Sequence, residues 1–177
     1  MAHFYLIRHG QAAFGQRNYD VLSPLGHRQA ALVGGYLAMA SAQPVAMVSG
    51  EMERQKDSLT AAANKMTDPP AAIADAAFNE YNAEGIFKAY LPRAIAEDEE
   101  LRQRQREIFK ERPLFQKAFA RVASAWLGGE AHDLDRLESF VDFRQRVLDG
   151  LKKLNAEYDK KDHIALFTSG GPISIAV

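Results

Sequence analysis

The strongest constraint in this chain lies near its amino end, where Phe4-Tyr5-Leu6-Ile7 runs straight into Arg8-His9-Gly10-Gln11. Four apolar residues rich in strand formers read as a buried strand, and Gly10 predicts a sharp turn directly after it. Two basic side chains are thereby set at a strand's carboxyl end, the edge at which open α/β sheets bind ligands. Arginine is a planar, permanently charged fork suited to phosphate, and a neutral imidazole beside it can attack phosphorus as a nucleophile. The turn therefore points to phosphoryl chemistry.

A buried strand needs a core around it, and 177 residues at 47% hydrophobic supply one for a single domain. The net charge of -1 argues against a nucleic-acid partner. The chain has no cysteine, which excludes a disulfide framework, a thiolate zinc site and a cysteine nucleophile. Its first residues lack a basic segment followed by a long apolar run. No apolar stretch approaches the roughly 20 residues of a membrane helix, so a soluble cytoplasmic protein with no membrane partner is expected.

The strand-then-charge pattern recurs along the chain. Ala12 to Val21, with Gly15, Asn18 and Asp20, reads as a surface loop. Ser23 and Pro24 then open a helix as N-cap and first helical residue, with Val33, Tyr36, Leu37 and Ala40 on one face. Val45 to Ser49 is a second strand ending at Gly50, followed by a helix from Arg54 to about Asn64. If the two strands are parallel neighbours, Arg54 shares the carboxyl edge with Arg8, and two arginines can grip one phosphate. The competing reading is a solvated helix arginine paired with Glu51 or Glu53.

Ala71 to Phe78 is a third strand-like stretch, leading to Asn79-Glu80-Tyr81. A carboxylate leaving a strand at that edge can protonate a departing alkoxide and then activate water; Glu84 is the competitor for that place. Ala83 to Gly129 reads as helical and charged, with Asp98 paired to Arg102 and Glu100 to Arg104 on a solvated face. Phe115, Phe119, Val122 and Trp126 form an apolar stripe assigned to the core. Phe140, Phe143, Val147, Leu151 and Leu154 mark a further amphipathic helix closing near Tyr158. His163 to Phe167 is a buried strand leading to Thr168-Ser169-Gly170-Gly171-Pro172, a turn that offers hydroxyls and backbone N–H groups to an anion. His27 reads as a solvated helical histidine and His132 as a loop histidine.

Several of these segments together resemble the histidine phosphatase superfamily, which includes the cofactor-dependent phosphoglycerate mutases. They are Arg8-His9-Gly10 after the first strand, the run through Asp20, Leu22, Ser23, Gly26, Gln29 and Ala30, Arg54 after a strand ending in serine, Asn79-Glu80-Tyr81, and Glu138 through Val147. The resemblance implies an α/β class fold, a three-layer α/β/α sandwich with a mainly parallel central sheet. It implies one domain over 1–177, with 83–134 a helical cap insertion that tunes substrate choice. It also implies a phosphatase that hydrolyses phosphate monoesters, or phosphohistidine, through a phosphohistidine intermediate on His9. Glu80 would then be proton donor and base, Arg8, Arg54, Ser169 and Gly170 would bind the phosphate, and no metal or other cofactor is required. The implied partner is a small phosphorylated molecule or a phosphoprotein, and a homodimer is left open.

Three departures from the family pattern bear on function. Gly50-Glu51-Met52-Glu53 stands where the family commonly has Ser-Pro before its arginine. Ser169-Gly170 stands where it normally has a second histidine followed by glycine. The chain ends at Val177, barely a turn into the last expected helix, where the family continues with further strand and helix. The alternatives to hydrolysis are accordingly a phosphate-binding or regulatory pseudo-phosphatase and, for a chain short for that branch, a phosphoglycerate mutase. An α/β domain whose Arg-His-Gly is accidental is the last.

Overall fold

The computed structural model describes residues 1–13, 18, 20–41, 43–129 and 137–177; Gly15 and His132 lie outside the described residues. The described residues form two compact units, 1–80 with 144–177, and 81–143.

In the first unit the strands are β1 (His3–Arg8), β2 (Ala46–Ser49), β3 (Ala72–Ala74) and β4 (His163–Thr168). They form one parallel sheet in the order β1-β4-β2-β3. Register aligns the strand ends: Arg8 pairs with Thr168, and Ser49 with both Phe167 and Ala74. One edge of the sheet therefore collects every chain segment that leaves a strand. Its helices are α1 (Pro24–Met39), α2 (Glu53–Ala63), the part of α6 (Phe140–Glu157) from Arg144 onward, and α7 (Gly170–Ala176).

The central strands β2 and β4 are covered on both faces, as parallel strands with helical crossovers must be. On one face Met47, Ala165 and Phe167 pack with Leu37 of α1 and with Leu59 and Ala62 of α2. On the other, Val48, Ile164 and Leu166 pack with Leu154 and the partly buried Leu151 of α6. Strand alternation thus divides the side chains between two helical layers, and the expected three-layer sandwich results. Each large side chain fully buried this way stabilises the fold by about 1.5–3 kcal/mol.

Helix α1 begins as its sequence dictates, with the Ser23 hydroxyl accepting from the Gly26 N–H at 3.1 Å and Pro24 in the first turn. Its inner face differs from the expected one. Gly26, Ala30, Gly34 and Leu37 are buried, whereas Tyr36 is 64% exposed. The cause is close approach of backbones, which favours small residues that an apolar periodicity does not register. A Cβ on Gly34 would lie 2.1 Å from the Ala62 carbonyl oxygen of α2, and one on Gly26 would lie 2.2 Å from the Gln11 oxygen. A Cβ on Gly10 would in turn meet the Gly26 oxygen at 2.2 Å. Gly10 is thus required for contact with α1, and not for a left-handed turn: among the described residues the one glycine with positive φ is Gly129.

The stretch from Ala71 to Phe78 is not one strand. β3 takes three residues, and Asp75 then accepts from the Ala77 N–H at 2.8 Å to open a single 3₁₀ turn, Ala76–Phe78. A short acceptor side chain competes with the sheet for the backbone and ends the strand.

The second unit contains α3 (Ala83–Ala96), α4 (Glu99–Gln103), a 3₁₀ turn and α5 (Arg112–Leu127). The buried line of α5 is Leu114, Ala118, Val122 and Trp126. Phe115 and Phe119, expected in the core, are 39% and 45% exposed and stack on Phe87 at the surface. Asp98 also departs from expectation. It does not pair with Arg102, which binds Glu99 instead. Asp98 is 5% exposed, caps α4 through the Leu101 N–H at 3.1 Å, and binds Lys117 at 2.9 Å and Arg121 at 2.7 Å on α5. Lys117 first, then the Leu101 N–H, hold its carboxyl down at about 2. No helix among the described residues is long and apolar enough to cross a membrane.

Two outcomes follow from this packing. Gly26→Ala must push the α1 backbone off the turn after β1, an overpacking that costs about 1–3 kcal/mol. Urea unfolding should show that loss, and amide shifts in solution NMR should move at His9 and Gly10, whereas Gly35→Ala, with nothing within 4 Å, should leave both unchanged. The Asp98 carboxylate binds its proton more weakly folded than unfolded, since its ordinary value is 3.8. Its stabilisation is therefore complete above about pH 5 and lost as pH falls toward 2. Asp98→Asn should lower stability at pH 7 and flatten that acid limb, as read from unfolding midpoints between pH 2 and 7.

Candidate active site

The turn after β1 is fixed from two sides. The His9 N–H donates to the Thr168 carbonyl of β4 at 2.8 Å. The Gly10 N–H donates to the Ser58 hydroxyl of α2 at 3.0 Å, and that hydroxyl donates to the Arg54 carbonyl at 2.7 Å. Pinned in this way, the backbone aims the His9 ring: Nδ1 lies 2.7 Å from the Gly10 carbonyl oxygen, and Nε2 accepts from Arg54 Nε at 3.2 Å. A carbonyl can only accept and a guanidinium can only donate, so the pair of contacts defines the tautomer. Nδ1 carries the proton and Nε2 keeps its lone pair. Burial lowers the His9 pKa from its ordinary 6.5, and the charges of Arg54 and Arg8 act in the same direction, against the Gly10 carbonyl and Asp20. The imidazole is held neutral at pH 7.

Arg54 is 7% exposed and sits in the first turn of α2. Its NH1 donates to Asp20 Oδ1 at 2.6 Å, and Asp20 Oδ2 accepts from the Glu53 N–H at 2.9 Å. The next residue, Gln55, is fully buried and ties the strand ends together. Its Oε1 accepts from the Met52 N–H at 3.3 Å, which is half of a capping box. Its Nε2 donates to the Phe78 carbonyl at 3.1 Å and to the Ser169 hydroxyl at 2.8 Å. Thr168 donates to the same Phe78 carbonyl at 2.6 Å.

Arg8 is exposed at the end of β1, and its guanidinium carries no hydrogen bond or ion pair among the described residues. With His9, Gly10, Gln29 and Ser58, and with apolar walls including Val33 and Phe167, it lines a cleft of about 260 Å³ whose lining does not include Arg54, Glu80 or Ser169. Ser169 is 1% exposed, facing Gln55, whereas a Cβ on Gly170 would meet nothing within 4 Å. Glu80 follows the 3₁₀ turn, and its Oε2 accepts from the Gly171 N–H at 3.0 Å. That turn is clasped by Arg146, whose NH1 donates to the carbonyls of Ala76, Ala77 and Asn79 at 2.9, 2.9 and 3.2 Å. Glu84, the alternative acid, is in the second unit and binds Lys88; His27 is exposed.

His9 and Arg54 are thus in direct contact, Arg8 acts on the same imidazole, and Glu80 meets the turn carrying Ser169 and Gly170. All lie in one unit at the carboxyl edge of the sheet. Asp20, Gln55, Ser58 and Arg146 complete the arrangement and were not singled out for it by sequence. Ser58, one helical turn from Arg54, is the one with any visible signal. The assembly presents a neutral nucleophilic nitrogen beside two cations, with a carboxylate on a neighbouring turn.

Comparison with known proteins gives the family and the fold of the chain. The chain matches the model of the histidine phosphatase superfamily (branch 1) over residues 4–177. No curated protein sequence matches it. Among solved structures it is similar to a phosphoglycerate mutase from Bacillus anthracis, with 14% identity and a TM-score of 0.68 over 99% of this chain and 78% of that one. It is also similar to a mycobacterial glucosyl-3-phosphoglycerate phosphatase, with 20% identity and a TM-score of 0.59 over 96% and 74%. The complex of that phosphatase with inorganic phosphate aligns at 21% identity and a TM-score of 0.57, again over 96% and 74%. With the sheet, the helical layers and the family model in agreement, the chain belongs to the histidine phosphatase superfamily, branch 1.

Proposed function

We propose that the protein hydrolyses phosphate monoesters through a phosphohistidine on His9. The observation that carries this reading is the tautomer: Nδ1–H is held by Gly10, so Nε2 keeps a lone pair beside Arg54. The Arg54 Nε–H passes from Nε2 to a phosphoryl oxygen, and the freed lone pair attacks phosphorus, forming an N–P bond while the P–O ester bond breaks. The leaving oxygen takes the electron pair and a proton from Glu80. Glu80 then takes a proton from water, whose oxygen attacks phosphorus, releasing inorganic phosphate and restoring the neutral imidazole. Arg8 and Arg54 bear the charge on the phosphoryl oxygens, with the Ser169 hydroxyl and the Gly170 N–H as neutral donors.

A second reading, binding without turnover, is favoured by one observation: the neutral Ser169 hydroxyl is bonded to Gln55, in a turn where the resemblance implies a cationic donor. A charged hydrogen bond is worth about 1.5–3 kcal/mol and a neutral one about 0.5–1.5, and loss of one transition-state donor can cost roughly 10²–10³ in rate. Hydrolysis is preferred because the nucleophile, both arginines and the carboxylate are all present.

Rapid quench with ³²P-labelled aryl phosphate should trap an acid-labile, base-stable label on the wild type. His9→Ala should carry none and lose at least about 10³-fold in turnover. Phosphate binding without label or turnover would establish the second reading instead. The pH profile is a separate check. His9 must be neutral to attack, and its pKa is lowered, so the acid limb of kcat/KM should fall below pH 6.5.

A further inference from the structure

We propose that Asp20 is a positioning residue of this site, a built-in carboxylate that fixes the Arg54 guanidinium beside His9 and offsets part of its charge. The phosphate in this inference rests on the function proposed above; the contacts that carry it do not.

The two oxygens of Asp20 have different partners. Oδ1 accepts from Arg54 NH1 at 2.6 Å, and Oδ2 accepts from the Glu53 N–H, the first of α2, at 2.9 Å. The second bond holds the carboxylate at the positive end of the helix, so the first cannot swing away. Asn18 reinforces the clamp: its Oδ1 accepts from the Asp20 N–H at 3.0 Å and its Nδ2 donates to Glu53 at 2.9 Å. With NH1 fixed, the planar fork has one orientation, and in it Nε meets His9 Nε2 at 3.2 Å. A phosphoryl group reaching Nε2 meets that Nε–H edge while NH1 stays on Asp20.

Asp20 also sets the charge balance. The charged groups acting on the imidazole are Arg54, Arg8 and Asp20, two cations against one anion. Arg54 is almost buried, so this pairing is only weakly screened. The carboxylate therefore weakens the grip on inorganic phosphate, the product, while keeping the guanidinium aligned for the step itself. Asp20→Asn touches both effects, which are read separately as phosphate affinity and kcat. It keeps the side-chain size, removes the charge and loosens the clamp.

The test uses the whole chain, with inorganic phosphate as probe in calorimetry and the His9 ring signals in NMR. Asp20→Asn should bind phosphate about 10-fold more tightly, titrate His9 at lower pH, and lower both kcat and KM for an aryl phosphate. In an Arg54→Gln background the same substitution should change phosphate affinity by less than about 2-fold. Asp20→Ser, smaller and equally neutral, repeats the measurement should the asparagine variant fold poorly. Unchanged or weaker phosphate binding with an unmoved His9 titration would overturn the proposal, as would a full effect persisting without Arg54. Neither result touches the phosphatase reading if the wild type turns over. Conversely, a wild type without turnover whose neutral variants show the affinity gain and the His9 shift removes that reading and leaves Asp20 in its role.

Discussion

The site depends on a crossing of two backbones. The turn after β1 lies on the first turn of α1 at a distance that leaves no room for a Cβ on either Gly10 or Gly26. Because that approach is backbone on backbone, it cannot relax by a change of rotamer, and it fixes where the chain goes after Ile7. The hydrogen bonds from His9 to Thr168 and from Gly10 to Ser58 then have fixed end points. The imidazole tautomer is a downstream result of the same geometry, since the Gly10 carbonyl that holds Nδ1 belongs to the constrained turn.

Electrostatics at the site are unusual for the number of charges involved. A histidine between two arginines and a carboxylate is kept neutral chiefly by burial, with the arginines adding to the effect. The same two arginines that are suited by charge to an anion therefore also favour the neutral imidazole, so the two effects do not conflict. The turn after β4 follows a different logic, with neutral Gln55, Thr168 and Ser169 bonded around the Phe78 carbonyl. Buried polar groups of this kind are stable only when each is satisfied, and among the described residues no buried side-chain nitrogen or oxygen lacks a partner.

Much of this was legible from residues alone, for a physical reason. Strands of a parallel sheet are buried on both faces and stand out as apolar runs, and the polar residues that follow them are confined to one edge. That pattern singles out His9 and Arg54; Glu80 stands out chiefly through the family resemblance, since β3 is short and exposed and a 3₁₀ turn separates it from Glu80. The rest was hidden because it depends on pairings between distant segments: Asp20 and Arg54 are 34 residues apart, Gln55 and Ser169 114, Asn79 and Arg146 67. No local pattern marks an aspartate in a loop as the partner of a helix arginine. The displaced helix faces have a related cause. Where α1 meets other backbones, glycines take the inner positions and Tyr36 is turned outward. In α5 the phenylalanines form a surface stack while Leu114 and Ala118 take the core. Asp98 looked like one charge among many, and only its cap on α4 and its cations on α5 distinguish it.

The first turns of α2 carry three attachments in close succession, Arg54 to His9, Gln55 to the carbonyl and hydroxyl of the neighbouring strand ends, and Ser58 to Gly10. Only residues 50–52 join this helix to β2. An α-helix turns about 100° and rises 1.5 Å per residue. One residue inserted or deleted in that link would rotate all three attachments off their partners together. Length variation among relatives should accordingly be absent between Ser49 and Glu53 and accumulate instead where segments of the chain end without touching this mount, however freely the amino acids within the link are exchanged.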